Sequence, residues 1–328
     1  MNKSEFATTP EVVDFVEWSI SFLPTLEVNL NISNKGTGRI KGMNKLPSTF
    51  GPGVKGTFVG MDAITNAYQW AGKWEDSEGN FTESCDWFST RKSLNELSKW
   101  FRGNIQSASS TDVFNHCNQI LIWGGDRNPA VGAGKFLLKL QGDIQHYLIT
   151  TKNQLLLKTA DISKLSEIFE MNAMLTKVHA LASDDGLPIY DSRVAGAIAC
   201  LIEIYRQNTN KPWNKLPDLL TFKAVDNAPR RRVIGMNHIQ KQVIDPGRIT
   251  RETTEAGKRK RSYDWASSKV RLGWLMEEII HASELKKNSI FKKETLHDDS
   301  TTAQLHALEA ALFMIGFDVN CISKVNFI

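Results

Sequence analysis

Two ionisable side chains stand at the openings of two successive helical stretches. Lys177 lies in Leu175-Thr176-Lys177-Val178, and Asp191 in Pro188-Ile189-Tyr190-Asp191-Ser192-Arg193-Val194. An amine held partly out of water, at the positive end of a helix dipole, loses affinity for its proton because both influences disfavour the ammonium form. Such an amine is a nucleophile near neutral pH. A carboxylate that caps the following helix is fixed in direction, so it can stabilise positive charge or move a proton at the same centre. Separated by one short helix and a return, the two can face each other across a small cleft.

The elements that must position them lie in residues 168–207. A helix end leads to a tight connection at 170–175 and a short helix that opens at Thr176-Lys177. A turn at Asp184-Asp185-Gly186 and an extended Leu187-Pro188-Ile189-Tyr190 follow, since Pro188 biases Leu187 away from helix. Asp191 then caps a long helix with apolar residues at Val194, Ile198, Leu201, Ile202 and Tyr205. Asp184 and Asp185 are ordinary turn acids. Arg193 reads equally as a phosphate contact, an ion-pair partner or part of a solvated face. His179 is expected in the core, and His238 and His281 have no partner spacing for a metal.

This arrangement resembles the helix-hairpin-helix DNA glycosylase superfamily, in which a Lys at the start of the hairpin's second helix precedes an extended Pro-x-Asp. More distantly it is similar to the 8-oxoguanine glycosylase-like branch, with Trp123-Gly124-Gly125 ending a helix upstream. The resemblance covers about residues 93–208. The chain reads Met171-Asn172-Ala173-Met174-Leu175 where the family's hairpin usually has Leu-Pro-Gly-Val-Gly. The Lys-to-Asp interval is about a helical turn shorter, and the iron–sulfur cysteine cluster of some relatives is absent. The resemblance implies a mainly α fold, with a helix-hairpin-helix glycosylase-like core and an N-terminal strand- and loop-rich extension. It implies a DNA glycosylase that flips out and excises a damaged or modified base, with Lys177 as nucleophile and Asp191 as electrostatic and acid–base partner. Strand cleavage by β-elimination and action on modified phage DNA, as in antiviral defence, are compatible with it. No cofactor is expected. Asn172 is placed to donate to a phosphate in place of the missing glycines, and Trp123 and Tyr190 to stack on the extruded base.

Composition sets the outer bounds. The chain has 328 residues, 41% hydrophobic and 23% charged, with a net charge of +4. That is a globular protein rather than a disordered one, and not a polycation as a whole. Cys85, Cys117, Cys200 and Cys321 are scattered, which argues for reduced thiols in the cytoplasm and against a zinc or disulfide framework. No membrane span or signal pattern is evident, and no phosphate-binding Gly-Lys-Ser/Thr loop occurs.

Three compositional zones follow. Residues 1–82 combine a helix near 10–18, a period-two strand at 26–32 and a glycine-rich 36–60. Residues 83–208 form the helical core, with helices expected at 91–101, 113–123, 134–147 and 163–169. Residues 209–328 open with a basic loop segment and end in helices at 263–282 and 301–317, with a short strand over 319–328. From Pro229 to Arg261 there are ten Lys or Arg against three acids. Its dense clusters, Arg230-Arg231-Arg232 and Lys258-Arg259-Lys260-Arg261, fit a track for the phosphates of double-stranded DNA bound by a monomer. Two other readings stay open: a DNA-binding protein of the same fold without chemistry, and a protein-interaction subunit.

Overall fold

Apolar residues recurring every three or four positions close into helices through most of the chain, and the fold is mainly α-helical. The computed structural model describes residues 1–32, 53–126, 130–223, 243–249, 254–296, 298 and 300–322. In chain order its helices are α1 (Lys3–Ala7), α2 (Pro10–Phe22), α3 (Gly60–Asn66), α4 (Trp87–Asn104), α5 (Ser110–Trp123) and α6 (Gly132–Leu140). Then come α7 (Ile144–Leu155), α8 (Leu175–Ala182), α9 (Ser192–Asn208), α10 (Glu255–Leu285), α11 (Lys293–Leu296) and α12 (Thr301–Ile315). Two antiparallel pairs complete it: β1 (Glu27–Ile32) with β2 (Val54–Val59), and β3 (Gln69–Glu75) with β4 (Phe81–Asp86). In β1 the alternation is the expected one, with Val28, Leu30 and Ile32 buried.

Several helices open on a side-chain cap. Asp86 accepts from Ser89 N, Ser109 from Asp112 N, Asp191 from Arg193 N and Val194 N, Thr254 from Gly257 N, and Ser300 from Ala303 N. Each such bond stabilises its helix by about 1 kcal/mol.

Several boundaries differ from the sequence reading. The helix expected over 134–147 is interrupted by a 3-10 turn, Gln141–Asp143, where Gln141 takes a φ of 44°. The stretch 163–169 forms a 3-10 turn, Ile162–Glu167, opened by Asp161 accepting from Ser163 N. Where a strand is expected over 319–328, Val319–Cys321 is a 3-10 turn, followed by a lone bridge between Ile322 and Val28, and residues 323–328 lie outside the described residues. The largest change concerns the basic loop. Lys258, Arg259, Lys260 and Arg261 lie in the first turns of α10, which starts at Glu255 rather than near 263. The Thr254 cap and the Glu255–Lys258 and Lys260–Asp264 pairs, one turn apart, extend the helix through a run whose like charges would oppose it.

One continuous apolar core runs through these elements. Helix α8 packs against α4, α5 and α7; α9 against α2 and α12; α10 against α2 and α12; and α3 against α12. Nearly all of α9 is buried, so it is a core helix rather than a surface one, with its buried Glu203 accepting from Arg206 and Gln207. Trp274 of α10 is fully buried and donates its indole N–H to Leu157 O at 2.7 Å. Among the described residues no helix is long and apolar enough to cross a membrane.

Gly316, just past α12, lies against the backbone of Arg193 so closely that a β-carbon there would collide with the Arg193 carbonyl. Backbone cannot yield as a flexible side chain does. Gly316→Ala is therefore expected to force α12 away from α9 and to cost about 1–3 kcal/mol, read as a lower urea midpoint at unchanged slope.

Candidate active site

The return from α8 to α9 is fastened at its base by residues adjacent to the two ionisable groups. Tyr190 N donates to Thr176 Oγ1 at 2.8 Å, so the positions next to Lys177 and Asp191 are bonded to each other. Lys269 of α10, fully buried, donates to Thr176 O at 2.8 Å and to Pro188 O at 2.5 Å. Glu309 of α12 accepts from Ile189 N at 2.8 Å. The whole Pro188–Tyr190 backbone is thus held from three sides.

Above this base stands Lys177, 7% exposed. Its Nζ donates to Ala173 O at 3.2 Å, and its aliphatic stem lies on Gly124, where any β-carbon would collide with it. Burial lowers the Lys177 pKa from its ordinary 10.5; the Asp191 carboxylate opposes that effect, and the Arg193 cation adds to it. Asp191, 6% exposed, uses Oδ1 to cap α9, accepting from Arg193 N at 2.8 Å and Val194 N at 3.0 Å. Its Oδ2 lies 4.0 Å from Arg193 Nη1. The amine and the carboxylate feel each other's charge without closing an ion pair within 4.0 Å.

Three elements remote in sequence complete the cluster. The Arg193 guanidinium sits over the rings of Phe317, Phe313 and Trp70, at 4.2, 5.0 and 5.7 Å from their centroids. Trp70 is itself fixed by donating its indole N–H to Trp123 O at 2.9 Å. Glu309 interacts electrostatically with Lys269, Asp191 and Lys177, and burial pushes its carboxyl well above the usual carboxylate range. Tyr68, beside Phe313, senses Glu309, Asp191 and Arg193. Sequence reasoning missed Tyr68, Trp70, Lys269, Glu309, Phe313 and Phe317. One pattern could have found half of them: Glu309, Phe313 and Phe317 recur at four-residue spacing along one stripe of α12 and the turn after it.

The remaining expected site residues fall elsewhere. Tyr190 is a core residue, fully buried, with its edge on Trp265 and its hydroxyl donating to Lys223 O at 2.7 Å. It braces the Asp191 turn and offers no ring face for stacking. Trp123 is also buried, its indole edge pressed on Gly72 and its Nε1 without a partner. Asn172 spends its side-chain oxygen on Met174 N and Leu175 N, both at 3.0 Å, and its amide nitrogen is 3.4 Å from Glu170. It caps the hairpin from within. Arg261 pairs with Glu170 at 3.0 Å, latching the hairpin to α10 together with the Met171 N–H, which donates to Ser262 Oγ. Lys258 and Lys260 pair with Glu255 and Asp264. Arg230, Arg231 and Arg232 lie outside the described residues, as does His238.

His179 is fully buried, with Nε2 3.1 Å from Tyr147 Oη, and burial lowers it to about 3. Tyr147 donates its own proton to Glu170 O, so His179 is neutral, donates from Nε2 and is a core residue. Asp184 pairs with Arg102 and Lys152, and Asp185 accepts from Leu157 N: both are braces. Among the described residues no group of three His, Cys, Asp or Glu side chains could hold a metal ion.

Compared with models of protein families, with curated proteins and with solved structures, the chain matches none.

A depressed amine pKa has a direct readout. Lys177 is expected to be reductively methylated at lower pH than the exposed lysines, its labelling rising as pH climbs towards its lowered pKa and levelling before 10.5. Peptide mass spectrometry across a pH series measures this. Lys177 labelling with the midpoint of an ordinary lysine would mean that the amine is solvated.

Proposed function

We propose that the chain is a lysine-dependent DNA glycosylase. What supports this most is the Lys177 amine, buried and biased towards its neutral form beside the fixed Asp191 carboxylate. Extrusion of a nucleotide costs a few kcal/mol, least for a damaged or modified base, and brings the sugar to the site. The neutral Nζ attacks C1′ while the glycosidic bond breaks and its electron pair leaves with the base. Asp191 Oδ2, the oxygen not spent on the helix cap, stabilises the positive charge that develops on the sugar and takes up a proton released by the amine. Asp191 returns that proton to the ring oxygen O4′ as the C1′–O4′ bond breaks and the nitrogen lone pair forms the C=N bond. The product is an iminium between Lys177 and the ring-opened deoxyribose, from which β-elimination can cut the strand.

Arg193 is suited to a phosphate of the extruded nucleotide. The basic start of α10 is suited to the duplex, because exposed ion pairs such as Lys258–Glu255 are weak in water and exchange readily for phosphate. Arg230, Arg231 and Arg232 would extend the same track. Binding to double-stranded DNA is then expected to weaken steeply with salt.

Borohydride reduces an iminium to a stable amine, so it traps the intermediate. Wild-type protein on duplexes carrying abasic sites or modified bases, phage DNA included, is expected to give a covalent adduct. Lys177→Ala should abolish it, and Asp191→Asn should slow base release on the order of 100-fold or more. Trapping should also increase with pH as Lys177 deprotonates. Tight, salt-sensitive DNA binding with neither adduct nor released base on any substrate would identify a binding protein instead.

A further inference from the structure

The hydroxyl of Tyr68 is the unused polar group of the site. Its side chain is 7% exposed, yet among the described residues the oxygen has no hydrogen-bond partner. A nearly buried hydroxyl with no protein partner keeps its donor capacity for a ligand. The Trp123 indole nitrogen, also unpaired, is sealed from solvent, whereas the Tyr68 side chain keeps a little exposed surface near Glu309, Asp191 and Arg193. Nor is the ring loosely placed. It is tilted against Phe313 at 5.6 Å and set edge-on to Trp87 at 6.1 Å between centroids. Tyr68 N donates to Thr65 O at 2.9 Å, and the neighbouring Asn66 amide donates to Thr295 Oγ1 at 3.0 Å. The aromatic body is locked and only the polar tip is left over.

Its electrostatic surroundings select what that tip can bind. Burial, then the Glu309 and Asp191 carboxyl groups, push the phenol pKa far up, so Tyr68 stays protonated and acts as a donor. Arg193, whose cation opposes that shift, is the group suited to a phosphate, and Lys177 with Asp191 already addresses the sugar. A neutral acceptor on the base remains.

We infer that Tyr68 reads the extruded base, donating a hydrogen bond to an acceptor atom on it, a carbonyl oxygen or an unprotonated ring nitrogen. The inference rests on the glycosylase reading and adds to it a specificity-determining residue from the N-terminal part of the chain.

An abasic duplex separates the two ideas, because it presents the sugar without a base. Tyr68→Phe removes only the hydroxyl. It is expected to be trapped by borohydride on an abasic duplex within twofold of wild type, while single-turnover release of the base slows on the order of ten- to hundred-fold. Lys177→Ala should lose both. Base release by Tyr68→Phe at the wild-type rate overturns the inference. So does a parallel fall in abasic trapping, which would make Tyr68 merely structural. Wild-type protein that neither traps on abasic DNA nor releases any base overturns the glycosylase reading, and this inference with it.

Discussion

The bond from Tyr190 N to Thr176 Oγ1, with the Lys269 ammonium or amine bridging Thr176 O and Pro188 O, is the constraint on which the site depends. Without it α8 and α9 are two helices joined by nine residues of turn and extended chain, and nothing fixes the mouth of one against the mouth of the other. Placing a lysine in the core is costly, several kcal/mol for the charged form, and burial lowers the Lys269 pKa accordingly. An apolar side chain of similar length would fill the same space at less cost but could not bind two carbonyls from different segments. The polar choice therefore sets register rather than adding stability. With Glu309 holding Ile189 N from the opposite side, Asp191 is left a single direction in which to open α9.

That base explains why the rim can be assembled from distant parts of the sequence. Helix α3 reaches α12 through Thr65, whose hydroxyl donates to Ala307 O at 2.9 Å, and this delivers Tyr68 and Trp70 to the mouth of α9. The Trp70 bond to Trp123 O ties them to the end of α5, the same helix end whose Gly124 gives the Lys177 stem its resting place. Residues on both sides of the compositional boundary at 82 meet around one arginine. Arg193 then occupies an aromatic setting in which a guanidinium is held by ring faces as well as by the Asp191 carboxylate, so its orientation is fixed by the fold itself.

What could be read from the sequence was what local chemistry determines. Asp191 as a cap, Lys177 in the opening turn of its helix, the alternation of β1 and the core status of His179 all follow from neighbours within a few residues. The errors arise where a partner lies far along the chain. Tyr190 looked available because its locking contacts, Trp265 and Lys223, come 75 and 33 positions later. Lys269 was passed over, because the carbonyls it binds, Thr176 O and Pro188 O, lie 93 and 81 positions earlier. The basic run at 258–261 looked like loop because its charge composition concealed a cap and two helical ion pairs that make the helix start earlier.

The hairpin shows how a departure in sequence changes the physics of a contact. A glycine-containing hairpin leaves backbone amides at the helix opening unpaired and aimed outward, where they can hold an anion. Here the Asn172 carbonyl takes two of those amides, and Thr176 N donates back to Asn172 O at 2.9 Å. Little donor capacity is left at this turn, so a phosphate gains less from it than from an open helix terminus. The same turn is held by Glu170 through Arg261, and by Met171 N through Ser262 Oγ. The hairpin therefore acts as a rigid mount for Lys177, and of the side chains that flank it on α10 Arg259 makes no ion pair among the described residues. Arg261 differs from it: parting Arg261 from Glu170 would unlatch the segment that keeps the amine in place.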